Sequence, residues 1–185
     1  KVVVVHGPGH EAVKTEASKI IHSCLFAEQK ERKGTGHAVM MAEQVLDGFQ
    51  GTVLILFGDV PLVQPQAIQL LLSKRDGAHP MCVLGFEAAN PFGYGRLIGD
   101  GKVVTAIREH KDATATEQAI RLCNSGIIAI GAPDLWPMLK KLTPANAQGE
   151  LYLTDVVELM AKAGKPCALA TCAEADVAGV RGGRV

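Results

Sequence analysis

The sequence has no excess of charge of either sign. Its 19 lysines and arginines balance 19 aspartates and glutamates, so no global field draws the chain to nucleic acid or to a membrane surface. A polyanionic ligand has to be met by a local site. Paired cysteine motifs are missing too. The five cysteines (Cys24, Cys82, Cys123, Cys167 and Cys172) are odd in number and mostly sit inside apolar runs. None is spaced as CxxC or as a zinc ligand, which implies reduced thiols in a cytoplasmic protein. There is no signal peptide and no apolar run long enough to span a bilayer. No HExxH, no Walker pattern GxxxxGK[ST], no GxGxxG and no GxSxG elbow occurs. These absences argue against a transition-metal site, a P-loop kinase, a dinucleotide site and a serine hydrolase. Internal repeats and low-complexity tracts are also lacking.

What is present is an alternation of short elements. The 185 residues suffice for one domain with its own core, spanning 1–185. KVVVV (1–5), SCLFA (23–27), GTVLILF (51–57), MCVLGF (81–86), NSGIIAIG (124–131) and PCALAT (166–171) have strand character. Helical segments are expected at 11–19, at 37–47, after Pro65, near 134–140 and at 154–163, the last opened by a Thr154-Asp155 cap. The run GYGRLIGDGKVVTAIREH predicts a hairpin turning at Gly99-Asp100-Gly101. Strands alternating with helices imply an α/β fold with a mostly parallel sheet and a small β-hairpin lobe. Both ends read as incomplete, since the first strand has no element before it and the last residues are RGGRV.

The chemistry is concentrated in a few stretches. LFGDVPLV ends an apolar strand on one carboxylate, Asp59, with Gly58 before it. At the carboxyl end of a parallel strand this suits Mg²⁺, which takes one or two carboxylates plus substrate phosphates. A plain turn aspartate is an equal alternative. KGTGHA (33–38) places two glycines before an amphipathic helix, where backbone N–H groups can hold an anion or a base carbonyl, or merely start the helix. GYGR (93–96) lets the backbone lie against a ligand or enter a hairpin; REHKDA (108–113) serves a site or a solvated loop. No serine, cysteine or histidine stands as an obvious nucleophile.

Taken in order, EQKERKGTGHA, LFGDVPL, NPFGYGR, REHKDAT, CNSGI and NAQGELYLTD resemble the uridyltransferase domain of bacterial bifunctional N-acetylglucosamine-1-phosphate uridyltransferase/glucosamine-1-phosphate acetyltransferases. The resemblance implies a Rossmann-like nucleotidyltransferase fold. It also implies transfer of UMP from UTP to N-acetylglucosamine 1-phosphate with Mg²⁺, giving UDP-N-acetylglucosamine and pyrophosphate for cell-wall precursor synthesis. By the same likeness, Gln29, Gly34, Thr35 and Gly58 would meet the nucleotide and Asp59 the metal. Gly95, Glu109, Asn124 and Thr154 would meet the acetamido sugar.

Three departures stand out. The Gly-rich LxAGxGTRM-like loop of the family has no counterpart in the chain. Arg181, in GVRGGR, stands where the family pattern has an asparagine metal ligand, and a guanidinium carries no acceptor. Phe57 replaces a tyrosine before Gly-Asp. The family's acetyltransferase half, a β-helix that makes it a homotrimer, is absent from these residues. The alternatives are a non-catalytic sugar-nucleotide-binding relative and a nucleotidyltransferase for another sugar phosphate.

Overall fold

A computed structural model of the chain describes residues 1–179. The GVRGGR run beyond Gly179, Arg181 included, lies outside the described residues. The elements are β1 (Val3–His6), α1 (Glu11–Ile20), β2 (Leu25–Glu28), α2 (Thr35–Met40), β3 (Thr52–Ile55), α3 (Pro65–Lys74) and β4 (Met81–Glu87). They continue with β5 (Arg96–Gly99), β6 (Val103–Arg108), α4 (Ala115–Gln118), β7 (Leu122–Gly131), α5 (Ala132–Leu139), α6 (Asp155–Lys162) and β8 (Cys167–Cys172).

β1 and β2 form a parallel pair, and the other six strands form one sheet in the order β3-β7-β4-β8-β6-β5. In strand direction β3, β4, β8 and β5 run one way, with β7 and β6 opposed, so that β4 and β8 are parallel neighbours and the other adjacent pairs are antiparallel. Because β7 lies between β3 and β4, the pairings on both of its sides are antiparallel. The expected hairpin is β5–β6, which continues the sheet beyond β8 and also touches β7 through Arg96 and Cys123.

The apolar runs do not alternate because both faces of the sheet are covered. Met81 and Val83 of β4 pack toward α5 and α6, against Leu135, Leu139, Val156 and Met160. Cys82, Leu84 and Phe86 point to the opposite layer, with Leu71 of α3. Every one of these side chains is almost fully withdrawn from water, and burial of each stabilises the fold by roughly 1.5–3 kcal/mol.

Three local departures from the sequence expectation have physical causes. The helix expected at 37–47 is α-helical only to Met40; thereafter Met41, Ala42 and Glu43 donate to carbonyls three residues back. Ala42 and Leu46 are buried all the same, so the periodic apolar face was real while its backbone is a series of tight turns. β3 stops at Ile55 rather than at residue 57, because its neighbour β7 bulges: Val83 pairs with Ile128 but Gly85 pairs with Asn124. At that bulge Gly126 takes φ +85°, and the Phe57 ring lies where its Cβ would be, 2.5 Å away. Finally, Thr154 makes no side-chain cap to α6; its hydroxyl is used elsewhere.

Candidate active site

The carboxyl end of β3, the amino-terminal half of β7, the start of β5 and the end of β6 converge on one region. Gly95 is buried just before β5, and a Cβ there would sit 3.1 Å from Ile107 and 3.4 Å from the Glu109 carboxylate. Only glycine leaves that carboxylate open toward the backbone. The Gly95 carbonyl accepts from the Asn124 N–H at 2.9 Å. Asn124 holds the bulge by accepting from the Gly126 N–H at 3.1 Å, and Ser125 adds a bond to the Leu84 carbonyl at 2.7 Å. Thr154, almost fully buried, donates its hydroxyl to Glu109 at 3.0 Å. Burial pushes the Glu109 carboxyl above its ordinary range; the Thr154 bond opposes this, and Asp112 and Asp155 add to it. The structure thus brings together Gly95, Glu109, Asn124 and Thr154, a set of neutral donors and one desolvated carboxylate. Such a set can bind hydroxyls and an acetamide by hydrogen bonds.

The KGTGHA loop adjoins this region through the LYLT segment (151–154). Gly36 N–H donates to Leu151 O at 2.8 Å, Leu151 N–H to Lys33 O at 2.8 Å, and Leu153 N–H to the Thr35 hydroxyl at 3.0 Å. Gly34 has φ +108°, and a Cβ on it would meet the Leu151 backbone at 2.6 Å, so this close approach requires glycine. Gln29 donates its side-chain amide to Gly34 O and lies within 3.0 Å of His37 Nδ1. Gln29, Gly34 and Thr35 are therefore one unit, tied through residues 151–153 to Thr154.

Gly58 and Asp59 are exposed beyond the end of β3. Phe57 bridges them to the bulge next to Asn124. Gly179 returns to Asp59: a Cβ on it would be 3.4 Å from the Asp59 carbonyl. Among the described residues no group of three His, Cys, Asp or Glu side chains could hold a metal. Asp59 is thus a single exposed carboxylate, which fits an ion that completes its shell with waters and ligand phosphates and would not fit an all-protein cage.

Tyr152 was missed by the sequence reasoning although it lies within LYLTD. It is almost fully buried, and its hydroxyl accepts from Gln148 at 2.8 Å. The NAQGE stretch braces the REHKDA loop: Asp112 accepts from the Ala147 N–H at 2.8 Å and Lys111 donates to Gln148 at 3.1 Å. A cavity of about 400 Å³ borders Glu109 and Tyr152 and is lined beyond them by Arg108, Asp155, Glu158 and Lys162.

The fold is shared with solved structures of known enzymes. It superposes on the UDP-glucose pyrophosphorylase complexed with UDP-glucose with a TM-score of 0.68 at 20% identity, over 90% of this chain and 71% of that one. For the inositol-1-phosphate CTP transferase from T. maritima the TM-score is 0.73 at 11% identity, over 93% of this chain and 66% of that one. No family model matches the chain. In sequence the chain is related over nearly its whole length to the bifunctional protein GlmU. It is 45% identical over 181 residues to that of Xanthobacter autotrophicus and 43% identical over 182 to that of Rhodospirillum rubrum, in each case over 97% of this chain. The chain spans about 40% of the length of these relatives.

Proposed function

We propose that this chain is the uridyltransferase part of a GlmU-type bifunctional protein, joining UTP and N-acetylglucosamine 1-phosphate into UDP-N-acetylglucosamine and pyrophosphate. The observation that carries this is the join between the Gly95–Glu109–Asn124–Thr154 cluster and the Gln29–Gly34–Thr35 unit. One set suits an acetamido sugar, the other a nucleobase. The sugar phosphate is already a nucleophile, and its oxygen attacks the α-phosphorus of UTP in line. Positioning and charge neutralisation then supply the catalysis, in keeping with a site that has no nucleophile–base pair. Asp59 would hold Mg²⁺, which when bound neutralises phosphate charge. Gln29 would read the base edge, with Gly34 and Thr35 supporting it, and Gly58 would let the phosphates approach. Glu109 and Asn124 would orient the sugar hydroxyls and the acetamide, with Thr154 holding Glu109.

On this reading the intact protein works in the cytoplasm on cell-wall precursors, is a homotrimer through a region outside this chain, and has neither nucleic-acid nor membrane partners. Among the described residues no helix is long and apolar enough to cross a membrane. The test is pyrophosphate release by the full-length protein with UTP, Mg²⁺ and a panel of sugar 1-phosphates. N-acetylglucosamine 1-phosphate should be turned over best. Preference for a sugar lacking the acetamide would overturn the substrate assignment, and no release with any sugar would mark a non-catalytic binding relative.

A further inference from the structure

Arg96 is about 1% exposed, which makes it a fully buried cation. None of the ion pairs among the described residues includes it. Its guanidinium instead donates to the Tyr94 carbonyl, to the Gln118 carbonyl at 3.2 and 3.4 Å, and reaches His110 Nδ1 at 3.3 Å. Burying a charge without a carboxylate is costly, and these bonds offset the cost only while all the acceptors stay in place.

Those acceptors belong to the wall that carries Glu109. Gln118 passes the restraint on, donating its amide to the His110 and Ala113 carbonyls at 3.3 and 3.1 Å. The Glu109 carbonyl accepts from the N–H groups of Asp112 and Ala113 at 2.9 and 3.0 Å, closing the 109–113 turn. Gly95, the residue before Arg96, faces the Glu109 carboxylate from the other side. One side chain therefore fixes the two walls of the same cleft relative to each other.

A guanidinium has donors and no acceptor, so His110 Nδ1 must present a lone pair to it. The bond requires a neutral imidazole. Protonation would turn the acceptor into a donor and set two cations 3.3 Å apart. The charged groups near His110 are Arg96 from β5 and Glu109, Lys111 and Asp112 on its own loop. α4 faces it with the Gln118 amide, its carboxylate Glu117 being engaged by Thr114 and Arg108. The Phe92 ring packs edge-on at 4.5 Å.

We propose that Arg96 is a positioning residue that, through neutral His110 and Gln118, holds Glu109 against Gly95 and Asn124 and so sets affinity for the sugar phosphate rather than for the nucleotide. This rests on the function proposed above. Two measurements on the full-length protein separate the proposals. The first is hydrogen–deuterium exchange over residues 109–119, which needs no substrate. The second is the pair of KM values, for N-acetylglucosamine 1-phosphate and for UTP.

Arg96→Lys should speed exchange over 109–119 and raise the sugar-phosphate KM by about tenfold, leaving the UTP KM within about twofold. His110→Ala should do the same. His110→Gln, which keeps an acceptor for the guanidinium, should reverse the His110→Ala defect. Parallel rises in both KM values, or unchanged exchange in Arg96→Lys and His110→Ala, would overturn the proposal. If Arg96→Lys does not fold, the two His110 variants decide the matter. A wild-type protein without turnover would defeat the functional reading while the exchange result still decides the clamp.

Discussion

Replacing Thr154 by Val tests the electrostatics of the proposed sugar wall. The change preserves volume in a buried position and removes the one side-chain donor to Glu109 among the described residues, a bond of 3.0 Å. The charges acting on Glu109, those of Asp112 and Asp155, are both negative. Loss of a hydrogen bond to a charged group costs about 1.5–3 kcal/mol, so the variant should lose about 2 kcal/mol of stability at pH 7.5. The folded carboxyl titrates above its ordinary value of 4.5 because burial disfavours its charge. Ionised Glu109 therefore destabilises the fold at neutral pH, and this cost is relieved as pH falls through the raised folded value toward 4.5. Removing the Thr154 hydroxyl raises the folded value further, so the loss in Thr154→Val is largest at neutral pH. Near pH 4.5 it should shrink to about 1 kcal/mol, the worth of a neutral hydrogen bond. Urea titrations at the two pH values, followed through Trp136, the one tryptophan in the sequence, measure the difference. Thr154→Ser should recover most of the loss. An equal loss at both pH values would refute the reasoning.

Asp59→Asn should lower metal-dependent turnover by about a hundredfold or more while moving the unfolding midpoint little, since the side chain is exposed. Steady-state rates across a Mg²⁺ titration check this, and a wild-type-like rate would remove Asp59 from the metal site. Gln29→Ala should raise the KM for UTP about tenfold and leave that for the sugar phosphate nearly unchanged, as measured by initial rates. Gly126→Ala should cost about 2 kcal/mol or more, because φ is +85° and the Phe57 ring lies 2.5 Å from the new Cβ; thermal unfolding reads it directly.

Much of the fold was legible because burial on both faces leaves unalternating apolar strands such as MCVLGF, and because Pro65 marks a helix start. The candidate residues were legible through ordered motifs whose glycines have identifiable steric reasons, as Gly34 and Gly95 show. Thr154 was misjudged as a cap, since a Thr-Asp pair before a helix reads the same whether its hydroxyl faces the backbone or a distant carboxylate. The contact with Glu109 spans 45 positions in sequence, and no local pattern encodes it. Tyr152 and Arg96 were hidden for the same reason: inside LYLTD and GYGR each looks like a motif spectator until the β5–β6 hairpin is folded against β7. The turns after Met40 escaped because apolar spacing reports which face is buried and not whether carbonyls are met three or four residues on.

The central claim is that Gly95, Glu109, Asn124 and Thr154 form the sugar subsite and that Gln29, Gly34 and Thr35 form the base subsite beside it. A crystal structure of the full-length protein with UDP-N-acetylglucosamine and Mg²⁺ tests it most directly. The expected result is the acetamido sugar hydrogen-bonded to Glu109 and Asn124 against the Gly95 backbone, with the uracil edge on the Gln29 amide. A sugar seated instead in the cavity between Arg108, Asp155 and Lys162, or a base remote from Gln29, would contradict it.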